Sequence, residues 1–205
     1  MNDNYNESYY NFNKQNKDRI GNILYSNIIK KNFKFKNFLD YGCGVGFLLK
    51  KIEKIKGLEQ TCGFEINDFA IQNSIKNTNK SKIYNNLNDI KMKFDLITML
   101  HIVEHINDSE LNNLISEIKK KLSKGGYLLI STPAKDGLAH KIKKEKWVGF
   151  KDITHVNLKS YDEWINFFQR QKLLVTSTFS DGLWDFPYRK SMFKLFFMKN
   201  IFFMT

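Results

Sequence analysis

Apolar and polar positions recur along the chain with two different periods, which together predict alternating helices and strands. Ile20, Ile23, Leu24 and Ile28 recur at helical spacing and predict a first helix over 19–33. By the same criterion, further helices are predicted over 45–55, 68–78, 107–122 and 159–171. Short runs rich in apolar and β-branched residues predict strands over 35–42, 59–67, 82–86, 93–100, 125–132 and 172–180.

This alternation predicts an α/β fold with a doubly wound, mainly parallel sheet and helices on both faces. Ser160 and Glu163 have the spacing of a capping box, which fixes the start of the last helix. Sheets of this kind bind ligands at the carboxyl ends of their strands. The residues that end each strand are therefore the candidates for a functional site.

A single domain is expected for the 205 residues. Its predicted parts are an N-terminal helical cap over 1–36, a sheet-and-helix core over 37–180 and an apolar tail over 181–205. A connection of about 25 residues joins the fifth strand to the next helix, which is the length of a lid or substrate loop. No run of about 18 apolar residues exists, so no transmembrane segment is expected.

The composition narrows the class of protein. Cys43 and Cys62 cannot form a disulfide framework, and the polar first residues carry no secretion signal, so a cytoplasmic location is predicted. The net charge of +12 would attract acidic or phosphorylated partners. Only three of the 33 basic residues are arginines, however, and arginine is the side chain that grips phosphates and bases with paired hydrogen bonds. A nucleic-acid partner is therefore not expected.

The stretch DYGCGVGF, over 40–47, places glycines at alternate positions between a strand and a helix. Glycine allows a sharp turn and lets backbone N–H groups approach a ligand closely. The spacing differs from the G-x-G-x-x-G of dinucleotide sites, which disfavours a nicotinamide-dependent oxidoreductase. Glu65 ends the second strand, where a carboxylate is positioned to accept both ribose hydroxyls of a nucleoside ligand. A plain tight turn and a helix-capping glutamate are the alternatives.

Four successive stretches resemble motifs of the class I S-adenosylmethionine-dependent methyltransferases. They are FLDYGCGVGFLLKKI, GFEIN, KFDLITMLHIVEHI and KKKLSKGGYLLISTP. The later KWVGFKDITHVNLKSYDEWINFFQRQKLL and DGLWDFPY resemble a bacterial subgroup that acts on small molecules. The resemblance implies a Rossmann-like fold, S-adenosylmethionine as the cofactor, and methyl transfer to a small acceptor.

The resemblance also implies which residues bind the cofactor. Asp40, Gly42 and Gly44 match the motif that cradles the methionine moiety. Glu65 matches the acid that binds the ribose hydroxyls, and Ile66 the residue that packs on adenine.

Asn86 stands where family members commonly carry an acid that meets the adenine amino group, and its amide oxygen can accept from that group. Leu100 and His101 would line the wall near the sulfonium. The full set of expected cofactor-binding residues is Asp40, Gly42, Cys43, Gly44, Gly46, Glu65, Ile66, Asn86, Leu87 and Leu100.

Transfer of a methyl group to a hydroxyl also needs a base that takes the proton. His101 and His105 follow the fourth strand and His155 lies in the long connection, so these three are predicted as catalytic residues. His140 is expected to be an ordinary exposed residue. The most favoured reaction is O-methylation of a lipid-linked, sugar or quinone-like metabolite.

The stretch HIVEHI has other interpretations. Glu104 and His105 would be explained equally well by hydrogen bonds that close a loop. Some methyltransferases, including ubiquinone-pathway and small-RNA types, carry E-x-x-E-H here with a distant histidine that completes a metal site. His101 replaces the first acid in this chain, and Mg²⁺ prefers oxygen ligands, so no metal is predicted.

Aromatic residues concentrate around the long connection. Trp147, Phe150, Tyr161 and Trp164 would wall an apolar or sugar-like acceptor, or would pack in the core. A non-catalytic cofactor-binding module and an RNA methyltransferase remain the alternative functions.

The apolar tail has three interpretations. Residues 192–205 would lie in a membrane interface, giving a membrane-peripheral protein, or would pack on a partner chain. Alternatively, the chain is truncated. The family sheet usually closes with an antiparallel seventh strand, which is doubtful here because only the short NIFFM offers one.

Overall fold

The computed structural model describes residues 17–179 and 201–204. Its helices are α1 Ile20–Asn32, α2 Phe47–Ile52, α3 Asp68–Asn77, α4 Asp108–Lys121, α5 Leu138–Lys143, α6 Val148–Lys151 and α7 Tyr161–Arg170. Its strands are β1 Asn37–Tyr41, β2 Gln60–Phe64, β3 Lys82–Tyr84, β4 Phe94–Leu100, β5 Leu122–Ser131, β6 Val175–Phe179 and β7 Ile201–Met204. Short 3₁₀ turns occupy Leu87–Asp89, Val103–His105 and Lys144–Lys146.

The strands follow the order β3-β2-β1-β4-β5-β7-β6 in one sheet. β2 pairs in parallel with β1 and with β3, whereas β7 pairs antiparallel with both β5 and β6. The predicted α/β class with a mainly parallel sheet is therefore confirmed. β7 also supplies the seventh strand that the sequence left in doubt.

The described residues form two compact units, 17–98 with 121–126, and 99–120 with 127–179 and 201–204. The prediction of a single domain stays a prediction. The predicted membrane or partner contact of the apolar tail and the first part of the predicted N-terminal cap fall largely on residues 1–16, 180–200 and 205, which lie outside the described residues. Within the described ranges, no helix combines the length and the apolarity that a membrane crossing requires.

In the first unit, two carboxylates hold the ends of helices and strands in place by accepting backbone N–H groups. Asp95 Oδ2 accepts hydrogen bonds from the backbone N–H groups of Lys36 and Asn37, at 2.9 and 3.0 Å, and so anchors the start of β1. Glu53 directly follows α2, and its carboxylate accepts backbone N–H groups over 79–81 in the turn before β3. The helix is therefore shorter than the predicted 45–55. The left-handed backbone of Gly46 precedes its first residue, and the Glu53 side chain, directly after its last residue, bonds the turn before β3.

Replacing Gly46 with alanine is expected to lower the free energy of unfolding by about 2 kcal/mol. Gly46 has φ +82°, and an added Cβ would lie 3.0 Å from both Cα and Cβ of Ser74 in α3. Strain and crowding therefore combine. The matched control is Gly57→Ala, since Gly57 has φ +85° but no atom within 4 Å of the added Cβ. Urea unfolding should show a loss of only about 1 kcal/mol for the control; equal losses would contradict the crowding.

In the second unit, α7 presents its apolar face to the core. Trp164, Phe167 and Phe168 are buried, and Trp164 stacks on Phe168 with ring centroids 5.6 Å apart. The capping box predicted at Ser160 and Glu163 is present. Trp164 is thus a core residue rather than part of an acceptor wall.

An aromatic cluster corrects the expectation for His140 and selects core packing for Trp147. His140 is half-buried rather than exposed, because its ring stacks on Trp147 and meets the edge of Phe150, and its Nδ1 contacts the carbonyl of Lys135. Trp147 is buried as well, whereas Phe150 is 48% exposed. Within this cluster, the ring of Phe150 is the one that solvent, and therefore an acceptor, can reach.

Candidate active site

The glycine turn after β1 is held to the end of β2 by backbone hydrogen bonds. The N–H groups of Gly42 and Cys43 both donate to the carbonyl of Phe64, at 2.8 and 3.1 Å. Gly42, Gly44 and Gly46 all have positive φ, at 75°, 53° and 82°. Residues that carry a side chain rarely adopt these backbone angles, so the shape of the turn requires glycine at these positions.

Glu65 joins the same two elements through its side chain. Its carboxylate is buried, and Oε2 accepts the N–H of Gly44 at 2.9 Å. Oε1 accepts the N–H groups of Ile66 and Asn67, at 2.8 and 3.0 Å. The structure therefore places Glu65 in direct contact with the glycine turn.

Asp40 is buried beside this turn. Its Oδ1 accepts a hydrogen bond from Oγ1 of Thr98 in β4, at 2.7 Å. Burial raises the pKa of Asp40 to about 7; the Thr98 hydrogen bond opposes this rise, and the nearby charge of Glu65 adds to it. Sequence reasoning missed Thr98, although a hydroxyl inside the otherwise apolar strand DLITML was the available signal.

The other residues that were expected to bind the cofactor differ in their exposure to solvent and in their hydrogen bonds. Ile66 is 60% exposed, which leaves its side chain available for packing. Asn86 is exposed, but its Oδ1 already accepts the N–H of Asn88 and caps a 3₁₀ turn that begins at the half-buried Leu87. Cys43 is buried in the turn, and burial raises the pKa of its thiol well above the ordinary value.

In the second unit, β4 ends at the half-buried Leu100, and His101 and Glu104 follow. His101 has φ 58°, a strained value for a residue with a side chain, and its N–H donates to the carbonyl of Ser131 at 2.8 Å. Glu104 is fully buried; its Oε2 accepts from Oγ1 of Thr132 at 3.0 Å, and its Oε1 lies 3.4 Å from Nδ1 of His101. Burial raises the pKa of Glu104, but His101 and His105 outweigh it and hold that pKa below its usual value.

His105 belongs to a chain of polar groups that crosses from the 3₁₀ turn to the long connection. Thr154 Oγ1 donates to Oδ1 of Asp152 and lies 2.9 Å from Nδ1 of His105. His155 follows directly; its Nδ1 lies 2.8 Å from the carbonyl of Gly149, and its Nε2 lies 3.7 Å from Oδ2 of Asp152. Burial lowers the pKa of His105, and His155 adds to that effect, while Glu104 and Asp152 oppose it.

Asn157 clamps this part of the connection onto the turn after β4. Its backbone N–H donates to the carbonyl of Glu104 at 3.0 Å. Its Nδ2 donates to the carbonyl of Ile106 at 2.7 Å and to Oδ1 of Asp108 at 2.9 Å. These bonds fix the distance between two segments that are about fifty residues apart in sequence.

The structure thus brings two of the three predicted catalytic histidines together. The ring centroids of His105 and His155 are 4.7 Å apart. The third histidine, His101, lies with its Nδ1 3.4 Å from Oε1 of Glu104. Sequence reasoning omitted Asp152 and Thr154 and treated Glu104 only as a capping or metal candidate. The signal for the first two was the polar run KDITH, which surrounds His155.

A family model described as Methyltransferase domain matches residues 7–178. The chain belongs to this family. A curated relative, ribosomal protein L11 methyltransferase from Campylobacter concisus (strain 13826), is 27% identical over 139 residues, which are 65% of this chain and 46% of that protein. The chain therefore spans less than half the length of this relative.

Solved structures of methyltransferases share the fold. A plantazolicin methyltransferase in complex with SAH superposes with a TM-score of 0.69 at 14% identity, over 98% of this chain and 91% of that chain. Magnesium protoporphyrin IX methyltransferase from Synechocystis PCC 6803 gives a TM-score of 0.62 at 15% identity, over 100% of this chain and 89% of that chain. The resemblance of this methyltransferase domain to class I enzymes and its Rossmann-like fold are confirmed.

Proposed function

We propose that this methyltransferase domain transfers a methyl group from S-adenosylmethionine to an oxygen atom of a small acceptor. The observation that carries the proposal is the contact between Oε2 of Glu65 and the N–H of Gly44. It joins the ribose-binding acid and the methionine-binding turn that the family resemblance implies. A glutamate that only capped α3 would not need to reach the glycine turn, so the contact supports the cofactor interpretation over the alternative.

The residues of the first unit would bind and orient the cofactor. One carboxylate oxygen of Glu65 accepts the N–H of Gly44 and the other accepts those of Ile66 and Asn67. About one of the four lone-pair sites of the carboxylate is then left for a ribose hydroxyl. Ile66 would cover one face of the adenine. Asp40, held by Thr98, would meet the cationic methionine end. The cofactor, when bound, supplies an activated methyl group on its sulfonium.

The residues of the second unit would serve the acceptor. A hydroxyl nucleophile must lose its proton as the methyl group is transferred. Nδ1 of His105 and Nδ1 of His155 both contact oxygen acceptors of the protein, so the ring nitrogen that receives the hydroxyl proton would be Nε2. His101, with a side chain 48% exposed, would orient the acceptor from the end of β4.

An apolar acceptor, such as a lipid-linked or quinone-like precursor, fits the surface of the long connection. Ile142, Phe150, Ile153 and Val156 are exposed there, and Ile153 is 88% exposed. Apolar side chains in this number on one segment are typical of a binding surface. Three of the four are aliphatic, and aliphatic side chains favour a lipid-linked or quinone-like acceptor over a sugar.

Two measurements test the proposed function. Calorimetry of the purified chain should show one site for S-adenosylhomocysteine. Incubation with radiolabelled S-adenosylmethionine and a panel of phenolic, isoprenoid and sugar hydroxyl compounds should then label an apolar member. Absence of cofactor binding would overturn the proposal. Binding without transfer would favour the non-catalytic module, and RNA binding with a steep salt dependence would favour an RNA methyltransferase.

A further inference from the structure

We propose that the segment 138–156 of the long connection is a docking surface for a membrane that carries anionic lipids. Exposed apolar side chains and exposed lysines alternate along this segment, which lies wholly in the second unit. Delivery of a lipid-linked acceptor from that membrane rests on the proposed function. Docking itself is a separate event, because it can be measured with vesicles and without any reaction.

The apolar side chains of the docking surface are the first reason. Ile153 is 88% exposed, Ile142 and Val156 are more than half exposed, and Phe150 adds part of an aromatic ring. Large apolar side chains that are scattered singly over a surface need no explanation, but a group of them on one short segment marks an interaction site. At a bilayer they would lie at the boundary between headgroups and acyl chains, where their apolar area is removed from water.

The charge of the docking surface is the second reason, and it decides the kind of membrane. Four lysines are exposed, and among the residues that the structure describes none of them pairs with a carboxylate: Lys141, Lys144, Lys146 and Lys151. The acids of the segment are Glu145 and Asp152, and Asp152 already accepts from Thr154. Positive charge in excess, set beside apolar side chains, is complementary to a lipid surface with anionic headgroups.

The type of side chain favours this lipid surface over a nucleic acid. The segment contains lysines and no arginine. Lysine is a compact charge on a flexible stem, which suits a diffuse layer of headgroups, whereas arginine makes the paired hydrogen bonds that read phosphates and bases. A groove for single-stranded nucleic acid would offer aromatic rings on which bases stack, rather than aliphatic side chains such as Ile153 and Val156.

The docking surface is held in shape before any membrane binds. Ring contacts among His140, Trp147 and Phe150 join α5 to α6, and Trp147 is buried. The N–H of Lys135 donates to the carbonyl of Lys159 at 2.9 Å, which holds the two ends of the long connection together. Docking would therefore order few additional groups, and a surface formed in advance loses little conformational entropy on binding.

The position of the docking surface explains how an acceptor would reach the predicted base. His155 lies two residues after Ile153, and its Nδ1 bonds the carbonyl of Gly149, next to Phe150. The docking surface and this histidine are thus parts of one continuous stretch of the chain. A lipid-linked acceptor whose hydroxyl lies at the headgroup level would meet His155 without leaving the membrane.

The test is co-sedimentation of the full chain with vesicles in about 0.1 M NaCl. Vesicles of equal parts phosphatidylglycerol and phosphatidylcholine should bind the chain at least tenfold more tightly than phosphatidylcholine alone. The double variant Lys144→Gln with Lys146→Gln should weaken binding to the anionic vesicles roughly 20-fold, because each lysine near such a surface contributes about a factor of five. Ile153→Asn should weaken it roughly tenfold, through loss of buried apolar area.

Matched controls remove the same groups from the first unit. Lys91→Gln with Lys93→Gln takes the same charge from two exposed lysines just before β4. Ile75→Asn makes the same apolar-to-polar change at a side chain of α3 that is 59% exposed. Both controls should bind the anionic vesicles as the original chain does. Circular dichroism and S-adenosylhomocysteine binding should be retained by all variants, which separates loss of docking from loss of the fold.

Three results would overturn the docking surface. Equal losses in the test and control variants would show attraction by net charge alone. Unchanged binding of the test variants would place the membrane contact elsewhere, such as the tail over 192–205. Binding to RNA without binding to vesicles would replace the membrane by a nucleic acid. Vesicle binding without cofactor binding would retain the docking surface and reject methyl transfer, whereas transfer to a soluble acceptor without vesicle binding would do the opposite.

Discussion

Replacing Glu65 with alanine is expected to weaken binding of S-adenosylhomocysteine roughly 100-fold. One charge-assisted hydrogen bond to a ribose hydroxyl contributes about 1.4 kcal/mol, a factor of ten in affinity, and the distortion of the turn when three backbone N–H groups lose their acceptor contributes about as much again. Glu65 also accepts the N–H groups of Gly44, Ile66 and Asn67, so its loss would leave the glycine turn without its partner. Calorimetry of the variant and the original chain gives the ratio directly.

The matched control is Glu59→Ala in the same unit. The Glu59 side chain is 55% exposed and pairs with Lys36 at 2.7 Å, so its removal should change cofactor affinity little. Glu65→Gln keeps the shape but turns an amide N–H₂ toward backbone donors, and we expect an intermediate loss of about tenfold. If Glu65→Ala binds as tightly as Glu59→Ala, Glu65 has no place in the cofactor site.

Replacing Asp40 with asparagine is expected to stabilise the cofactor-free chain at pH 8 by up to about 4 kcal/mol, and to have little effect below pH 4. Burial raises the pKa of Asp40 from 3.8 to about 7, so between these values the folded chain holds a proton that the unfolded chain releases. The free energy of unfolding therefore falls as the pH rises through this window. Asparagine can still accept from Thr98 but carries no charge that burial penalises. Urea unfolding of both proteins from pH 4 to 8 measures the difference.

A second aspartate provides a control of opposite sign. Burial raises the pKa of Asp95, but hydrogen bonds from the N–H groups of Lys36 and Asn37 outweigh it and lower that pKa overall. Its contribution to stability is thus present above the unfolded pKa and is lost as the pH falls through the folded pKa. Asp95→Asn should destabilise the chain at pH 7 and lose its effect in acid. A parallel response of the two variants would contradict the burial of Asp40.

Local patterns were sufficient for most of the fold. The alternation of periods predicted β1 to β6 and the long helices, because apolar spacing depends on only a few neighbouring residues. The capping box at Ser160 and Glu163 could be predicted for the same reason. β7 could not, since a short apolar strand is defined by its partners, and the pairing with β5 joins Leu128 to Met204, far apart in the chain.

The candidate site shows the same difference between features set by neighbouring residues and features set by residues distant in the chain. The glycine turn and Glu65 could be proposed from their types and spacing, because a strand, a turn and a helix fix what lies at the tip of each strand. The state of Asp40 could not, since the burial and the Thr98 partner that set its pKa come from another strand. His140 shows the same limit: its aromatic partners, and not its own segment, remove it from solvent.

The sequence by itself determined the class of fold, the glycine turn and the acid that follows the second strand, because each is written in residues that are close together along the chain. Only the tertiary structure decided that Glu104 and His105 meet His155, with Thr154 and Asp152 behind His105. Those side chains come from segments about fifty positions apart, held together by the bonds of Asn157. Hydrogen-bond partners and burial are properties of the packed chain, and they set which ring nitrogen carries the lone pair.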